Sequence, residues 1–328
     1  MKIEEVKGRY AIMTNTLKFA GLPSKTDQPD LPADIAIIGI PHGTPYAQGR
    51  PSHSTGAPAA IRRASARYAA MLDHYDFDLG GPLLDKGRAR VVDWGDVPGN
   101  PLNPANNRRR ATEAAASAID SGAVPIVLGG DDSIPIAFLR AYRQHGPLTV
   151  IQVDAHLDWR DEVNGIKEGP SSTMRRASEM PWVNKLIQSG LRGVGSARPE
   201  EVAAARAGGA EILTAREVLE GGAERVLNRV PEGAACLVTI DCDGLDPSIM
   251  PAVNAPVPGG VPYWWVVDLI HGLAEKADLR GVDLVEFCPQ KDFNGLAALT
   301  AVRIIFNVIG VLVRATQPGP AAGLTVDG

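Results

Sequence analysis

Cysteines and aromatic residues are both scarce in this sequence. Its 328 residues include three cysteines, Cys236, Cys242 and Cys288, and aromatic residues make up 5%. An odd and small number of cysteines argues against a disulfide framework and predicts a reducing compartment, which we take to be the cytoplasm. The low aromatic content argues against a surface that stacks on nucleic acid bases.

A strong net charge and a long apolar segment are also missing. The chain has 33 Lys and Arg against 38 Asp and Glu, a formal net charge of −5. This mildly acidic balance argues against nucleic acid or an anionic membrane as a partner. The longest apolar runs, 34–40 and 304–313, are too short or too interrupted to span a bilayer. We therefore predict no nucleic acid partner and no membrane partner.

Short apolar segments alternate with segments of helical pattern. Fully apolar strands separated by helices indicate an α/β fold with a parallel sheet covered on both faces. Because no linker or repeat is visible, we predict a single domain over 1–328, with an N-terminal arm of about 1–33 and a C-terminal tail of about 315–328. The predicted strands are 35–40, 90–97, 123–130, 148–156, 191–197, 234–243 and 279–287, and the predicted helices include 56–72, 106–122 and 134–146.

Acidic residues cluster directly after three of these strands. In open parallel sheets, ligands bind beyond the carboxyl ends of the strands. Seven carboxylates and one imidazole at one edge would repel strongly unless cations were bound there. Two of the carboxylates, Asp131 and Asp246, are more typical of loop caps than of ligands. The full set is Asp131, Asp132, Asp154, His156, Asp158, Asp241, Asp243 and Asp246.

The residue types indicate which ions would bind. Carboxylates with one imidazole and no thiolate suit hard or borderline divalent ions such as Mn²⁺, and there are enough ligands for two. Because strand side chains alternate, we expect Asp154 and His156 to share a face, and Asp241 and Asp243 likewise. Cys242 then lies on the opposite face as a small buried residue. Two bridged ions would lower the pKa of a water and present hydroxide as a nucleophile.

These segments resemble the three metal motifs of the ureohydrolase family, which includes arginases and agmatinases. They are GGDDS (129–133), DAHLD (154–158) and DCDGLDP (241–247), in the order and at the separation of the family. The resemblance runs from about residue 34 to about residue 313. Further similar segments are 39–41, 49–51, 56–58, 93–96 and 283–286.

The resemblance implies a fold, a metal centre and an activity. The fold would be a three-layer α/β/α arrangement with a central, mostly parallel sheet, and the enzyme a homo-oligomer, a trimer or a hexamer. Two Mn²⁺ ions, or alternatively Ni²⁺ or Fe²⁺, would support hydrolysis of a guanidinium group to urea and an amine. Asp158 would relay a proton, and Glu286 would bind the guanidinium group. The implied metal ligands are Asp132, Asp154, His156, Asp158, Asp241 and Asp243.

The sequence departs from the agmatinase-like pattern at two places. The first motif usually ends in Gly-Gly-Asp-His, whereas Asp132 occupies the ligand position here. A His-Gly-Thr-Pro segment, whose histidine binds substrate or transfers a proton, is replaced by EGPSSTM (168–174). Glu168, His42 and His53 are the candidates to take over the role of that histidine.

These departures leave alternatives open. Two alternatives to hydrolysis of a guanidino compound remain. The chain could be a non-catalytic or supporting subunit that assembles with a paralogous subunit, or a hydrolase of a formimino, amide or biguanide bond. Selectivity is expected in loops 42–58 and 159–175. Cations in these loops favour a substrate with a distal carboxylate, a guanidino acid over agmatine. They are Arg50, Arg160, Lys167, Arg175 and Arg176.

Overall fold

Eight parallel strands form one sheet, in the order β2-β1-β3-β8-β7-β4-β5-β6. The computed structural model describes residues 17–47, 49–85, 89–195 and 197–315. The strands are β1 Ile35–Gly39, β2 Val91–Asp96, β3 Val124–Leu128, β4 Leu148–Val153, β5 Val183–Leu191, β6 Glu211–Thr214, β7 Ala235–Asp241 and β8 Asp278–Val285.

Helices cover both faces of this sheet. They are α1 Ala57–Ser65, α2 Pro104–Asp120, α3 Ile134–Ala141, α4 Thr173–Ser178, α5 Pro199–Ala207, α6 Ala215–Gly221, α7 Glu224–Leu227, α8 Tyr263–Lys276 and α9 Leu296–Ala315. Local signals in the sequence set where some of them begin. Helix α2, for example, begins with Pro104 at its first position, and the side chain of Asn103 accepts a hydrogen bond from the Asn106 amide.

The two faces of the sheet form two separate apolar cores. In β1, Ile35 and Ile37 belong to the core under α1, α6, α7, α8 and α9. Ala36 and Ile38 belong to the core under α2, α3, α4 and α5. Because both faces are buried, the strands need apolar residues at every position rather than at alternate ones. The predicted three-layer α/β/α architecture is confirmed.

Helix α9 is long and apolar enough to cross a membrane by length and composition, and is the one such helix among the described residues. However, 83% of its most apolar window is buried inside the protein. Ile304 and Ile305, for example, are fully buried in the core that α1 and α8 share. The apolar character of α9 is therefore used in packing against the sheet.

Most of the predicted strands are present, but the strand predicted at 191–197 is wrong. Leu191 is the last residue of β5, and residues 192–195 form a loop in which Gly193 and Gly195 have positive φ angles of 68° and 128°. The actual strand, β5, precedes it and was hidden by polar residues such as Asn184 and Gln188. Strand β6 was not predicted, and the helices predicted at 56–72 and 134–146 end earlier, at Ser65 and Ala141.

The predictions at the chain ends are tested only in part by the structure. Residues 1–16 of the predicted N-terminal arm and residues 316–328 of the predicted C-terminal tail lie outside the described residues. From residue 17 the arm packs onto the protein, since Phe19 is fully buried and forms an edge-to-face contact with Phe306 of α9. The cysteines match the prediction, because all three are free and buried.

Candidate metal centre and cleft

Four adjacent strands at the centre of the sheet, β3, β8, β7 and β4, end at the same edge. The loop after each of them carries predicted site residues, which the fold brings together. Six of the seven line one cleft with a volume of about 790 Å³, while Asp154 is fully buried and is not part of the lining. The seven residues are Asp132, Asp154, His156, Asp158, Asp241, Asp243 and Glu286.

Two glycines allow the loops that carry the acidic residues to approach so closely. Gly130 has a φ of +85°, and a Cβ there would lie 2.5 Å from the backbone oxygen of His42. A Cβ at Gly244 would lie 2.7 Å from the backbone nitrogen of Asp154. Each glycine therefore permits a backbone contact that any side chain would block.

The candidate ligands form two overlapping groups. Ligand atoms of Asp154, His156 and Asp243 lie within 4.8 Å of one another, and those of Asp132, Asp154 and Asp241 form a second group. Asp154 belongs to both groups, as expected of a carboxylate between two ions. The predicted ligands thus converge, although β4 and β7 end before most of them, so strand alternation does not place their side chains.

Backbone amides orient these carboxylates instead. The His156 amide donates to Asp154 Oδ1 at 2.6 Å, and the Ala155 amide donates to Asp243 Oδ1 at 3.2 Å. Asp243 itself lies in the short 3₁₀ helix Cys242–Gly244, and its amide donates to Asp241 Oδ1 at 2.8 Å. Hydrogen bonds of this kind fix the direction of an ionised carboxylate before any cation binds.

Burial and mutual repulsion disfavour the ionised forms of these carboxyl groups. Desolvation, followed by the neighbouring carboxylates, raises the pKa of Asp132, Asp154 and Asp241 well above the usual value. Both side-chain oxygens of Asp132 are buried without a hydrogen-bond partner. Divalent cations would supply the missing partner and remove the repulsion, so the residues present fit a metal centre.

Asp158 and Glu286 both have a strained backbone. Their φ angles are +49° and +66°, in the left-handed region that side chains other than glycine rarely adopt. Strain of this kind costs about 1–3 kcal/mol per residue and is concentrated at functional sites. At both positions the unusual backbone coincides with a carboxylate that lines the cleft.

Two buried glutamines that were not among the predicted site residues contact the acidic cluster directly or through one another. Gln152 on β4 donates from Nε2 to Asp154 Oδ2 at 2.7 Å and to Asp158 Oδ2 at 2.9 Å. Gln188 on β5 donates to Gln152 Oε1 at 2.6 Å and so sets the orientation of its amide. The usable signal was a polar residue inside each of two buried strands, which calls for a partner in the interior.

His53 is the histidine that accompanies Glu286 in the cleft. Its Nε2 lies 2.5 Å from Glu286 Oε2, and the other oxygen, Oε1, accepts a hydrogen bond from the Asp132 amide at 2.9 Å. Although burial alone would lower the pKa of His53, the hydrogen bond and charge of Glu286 raise it. Of the three side chains weighed as replacements for the absent histidine, His53 lines the cleft.

The other two side chains, His42 and Glu168, line other cavities than this cleft, and their role in substrate binding stays a prediction. His42 lines a separate cavity of about 300 Å³, and burial lowers its pKa to about 4. Glu168 forms ion pairs with Arg108 and Arg140 in another cavity, of about 950 Å³. Those two arginines lie on the consecutive helices α2 and α3, and they hold the Glu168 carboxylate in that cavity.

The five loop cations also separate in the structure. Arg160 lines the cleft; its Nη2 donates to the Gly195 carbonyl at 3.2 Å, while its Nε is buried without an acceptor. No carboxylate of the described residues lies within ion-pair distance of Arg160. Of the others, Arg50 lines the His42 cavity, Lys167 and Arg176 line the Glu168 cavity, and Arg175 pairs with Glu179.

The two predicted loop caps are confirmed. Asp131 Oδ1 accepts hydrogen bonds from the Ser133 hydroxyl and from the Thr44 amide. Asp246 accepts from the amides of Ser248, Gly259 and Gly260.

Comparisons with known proteins agree with this geometry. Residues 33–310 match the family model described as the Arginase family. The chain is 30% identical over 287 residues to a guanidinobutyrase of Pseudomonas aeruginosa, covering 85% of this chain and 86% of that protein. It is 30% identical over 297 residues to the mitochondrial agmatinase of Gallus gallus, with coverages of 89% and 84%. The solved structure of proclavaminate amidino hydrolase from Streptomyces clavuligerus matches with a TM-score of 0.80 at 26% identity, covering 92% of this chain and 98% of that one.

Proposed function

The chain belongs to the arginase family, whose members are hydrolases of linear amidines, and we propose that its own substrate is a small guanidino acid, cleaved to urea and an amino acid. One observation carries this proposal. The cleft that contains the acidic cluster and Glu286 also contains Arg160, a cation without a carboxylate partner among the described residues. One cleft thus offers an anion for the guanidinium group and a cation for a carboxylate.

The residues of the proposed metal centre would hold two divalent ions, for which we propose Mn²⁺, with Ni²⁺ or Fe²⁺ as alternatives. Such ions lower the pKa of a bound water to near neutrality and so supply the hydroxide nucleophile. The donor set is hard, because it consists of five carboxylates and one imidazole. The ligands are Asp132, Asp154, His156, Asp158, Asp241 and Asp243.

The other residues of the cleft bind and orient the substrate. Glu286 accepts the guanidinium group, since its carboxylate is buried and held by the Asp132 amide. Asp158 takes up the proton lost by the nucleophile, with its carboxylate directed by Gln152. Arg160, whose side chain lines the cleft, pairs with the distal carboxylate, which adds a charge-assisted hydrogen bond and fixes the length of the preferred substrate.

The kinetic test compares 4-guanidinobutyrate with agmatine, which ends in an amine. We expect the wild-type protein, loaded with Mn²⁺, to release urea faster from the guanidino acid. Arg160→Gln should lower kcat/KM for that substrate about 10- to 100-fold, because a hydrogen bond to a charged group contributes about 1.5–3 kcal/mol. The same change should leave agmatine turnover nearly unaltered.

Arg175→Gln is the matched control, because Arg175 lies in the same loop region but pairs with Glu179 outside the cleft. A wild-type preference for agmatine would refute the guanidino acid proposal. Folded, metal-loaded protein that releases no urea from any guanidino compound would instead indicate the supporting-subunit alternative. Formamide, ammonia or guanylurea as the product would indicate cleavage of a formimino, amide or biguanide bond.

Assembly and location remain proposals of the same kind. We propose a cytoplasmic homo-oligomer, a trimer or a hexamer, with a paralogous partner subunit as the alternative. Light scattering on the purified chain, together with metal analysis, would test the proposed homo-oligomer. A single assembly of three or six chains with about two ions per chain is the expected result.

A further inference from the structure

His53 lies beside the carboxylate that is proposed to hold the substrate. Its Nε2 is 2.5 Å from Glu286 Oε2, and 27% of its side chain is exposed. Both residues line the same cleft. The pair is held from two sides, since Gln290 donates to the His53 carbonyl and the Asp132 amide donates to Glu286.

Cleavage of a guanidino compound requires an acid at this place. When the C–N bond breaks, its electron pair goes to the leaving nitrogen, and an alkylamine leaves only if that nitrogen receives a proton. Asp158 is assigned to the nucleophile, whose proton it takes up. Apart from Asp158 and the other proposed ligands, the titratable side chains that line the described cleft are Tyr46, His53, Arg160 and Glu286.

Three of these four are poor proton donors to the leaving nitrogen. Arg160 does not lose its proton in proteins. Burial raises the pKa of Tyr46 above its usual value, so its hydroxyl is a weaker acid still. Glu286 accepts the guanidinium group and is therefore required as an anion. The imidazole of His53 remains, and it both holds and gives up a proton near neutral pH.

We propose that His53 is the general acid of this reaction and protonates the leaving amine. The proposal rests on the proposed function. The guanidinium group replaces His53 as a partner of Glu286, and the Nε2 proton of the imidazolium becomes available. The C–N bond breaks, its electron pair forms the new N–H bond with that proton, and the amine departs. The neutral imidazole then regains a proton from solvent through its exposed part, while Asp158 releases to solvent the proton that it took from the nucleophile.

The charges around His53 favour the protonated form of its imidazole. The charged groups that face it are Glu286, Asp131 and Lys291. The two carboxylates outweigh the ammonium group and the burial of the ring, and the pKa of His53 lies above its ordinary value of 6.5. The protonated share of His53 is therefore larger than that of an ordinary histidine at the same pH, and it falls as the pH rises through this raised pKa.

The test uses the leaving group, because a weakly basic amine leaves without help from an acid. His53→Gln should lower kcat for 4-guanidinobutyrate about 100-fold or more, as expected for general acid catalysis. For 4-guanidinobenzoate, whose leaving group is an arylamine, the decrease in kcat should be about 10-fold or less. KM should change little for either substrate, and the decrease in wild-type kcat at alkaline pH should be absent in the variant.

His74→Gln is the matched control, because His74 is exposed and lies outside the cleft. Equal losses with both leaving groups, or an increase in KM alone, would assign His53 to the positioning of Glu286 and overturn the proposal. Wild-type kcat and an unchanged alkaline limb in His53→Gln would also overturn it. If the wild-type protein releases urea from neither substrate, the proposed function itself fails.

Discussion

Gln152, a buried residue of β4, orients two carboxylates of the acidic cluster. Its single amide group contacts two carboxylates, Asp154 and Asp158, and its oxygen is held by Gln188. All four side chains are buried. A neutral donor below two anions offsets part of their repulsion and sets their direction without competing as a ligand.

Replacing Gln152 by Leu should therefore weaken metal binding. Residues that orient ligands in this way typically contribute 10- to 100-fold to metal affinity, and we expect a loss of about that size with the ligand set intact. Titration of Mn²⁺ into metal-free protein, followed by calorimetry, measures the effect. Gln290→Leu is the control, since Gln290 is exposed and donates to the backbone of His53. Equal affinities in the Gln152 variant and the wild type would contradict this role.

At the scale of elements, the site depends on how closely the loops after β3, β4 and β7 can approach. Gly130 brings the β3 loop against the backbone of His42 and Ile40, at the end of β1. Gly244 brings the β7 loop against the backbone of Asp154. Except for Asp241, the last residue of β7, the acidic residues occupy these loops rather than the strands, so their mutual distances depend on backbone contacts between loops.

Gly130→Ala tests this dependence. The new Cβ would require both a left-handed backbone and a contact of 2.5 Å with a carbonyl oxygen. We expect a loss of more than about 3 kcal/mol in the free energy of unfolding, or failure to fold, since strain alone costs about 1–3 kcal/mol. Gly122→Ala provides the comparison, because Gly122 has a similar φ of +82° and nothing within 4 Å of the added Cβ. Denaturant unfolding of both variants would reveal the difference, and equal losses would mean that the close contact does not matter.

At the scale of the whole molecule, the mild net charge of −5 conceals an uneven distribution. Five carboxylates and a sixth at Glu286 are gathered at one edge of the sheet, all of them buried. In the absence of cations their repulsion opposes folding. Metal binding and folding are therefore expected to be coupled in this protein.

The variant Asp241→Asn separates the destabilising charge repulsion in the metal-free protein from the stabilisation by bound metal. Without metal at pH 7, we expect the variant to be at least as stable as the wild type, because one buried charge is removed. With Mn²⁺ at 100 times its dissociation constant, the wild type should gain about 2.7 kcal/mol, while the variant gains much less. Thermal unfolding with and without Mn²⁺ measures both effects. Asp268→Asn, on the exposed face of α8, should behave as the wild type, and an Asp241 variant with a full metal response would exclude it as a ligand.

The sequence by itself determined the class of fold and the metal motifs. Both follow from local rules: strands buried on both faces must be apolar throughout, and carboxylates that follow such strands meet at one edge of a parallel sheet. Strand β5 escaped prediction because its polar residues, among them Gln188, are satisfied by a partner on another strand. A hydrogen bond between residues 36 positions apart leaves no pattern in a single sequence.

Only the tertiary structure decided which side chains serve the cleft. His53 and Arg160 reach it, whereas His42 and Glu168, which the sequence made equally plausible, do not. The reason is physical. The direction of a loop side chain depends on partners from distant segments, and here Arg108 and Arg140 bind Glu168 while Glu286 binds His53. The sequence determined which candidate side chains the protein has, and packing between segments distant in sequence decided which of them line the cleft.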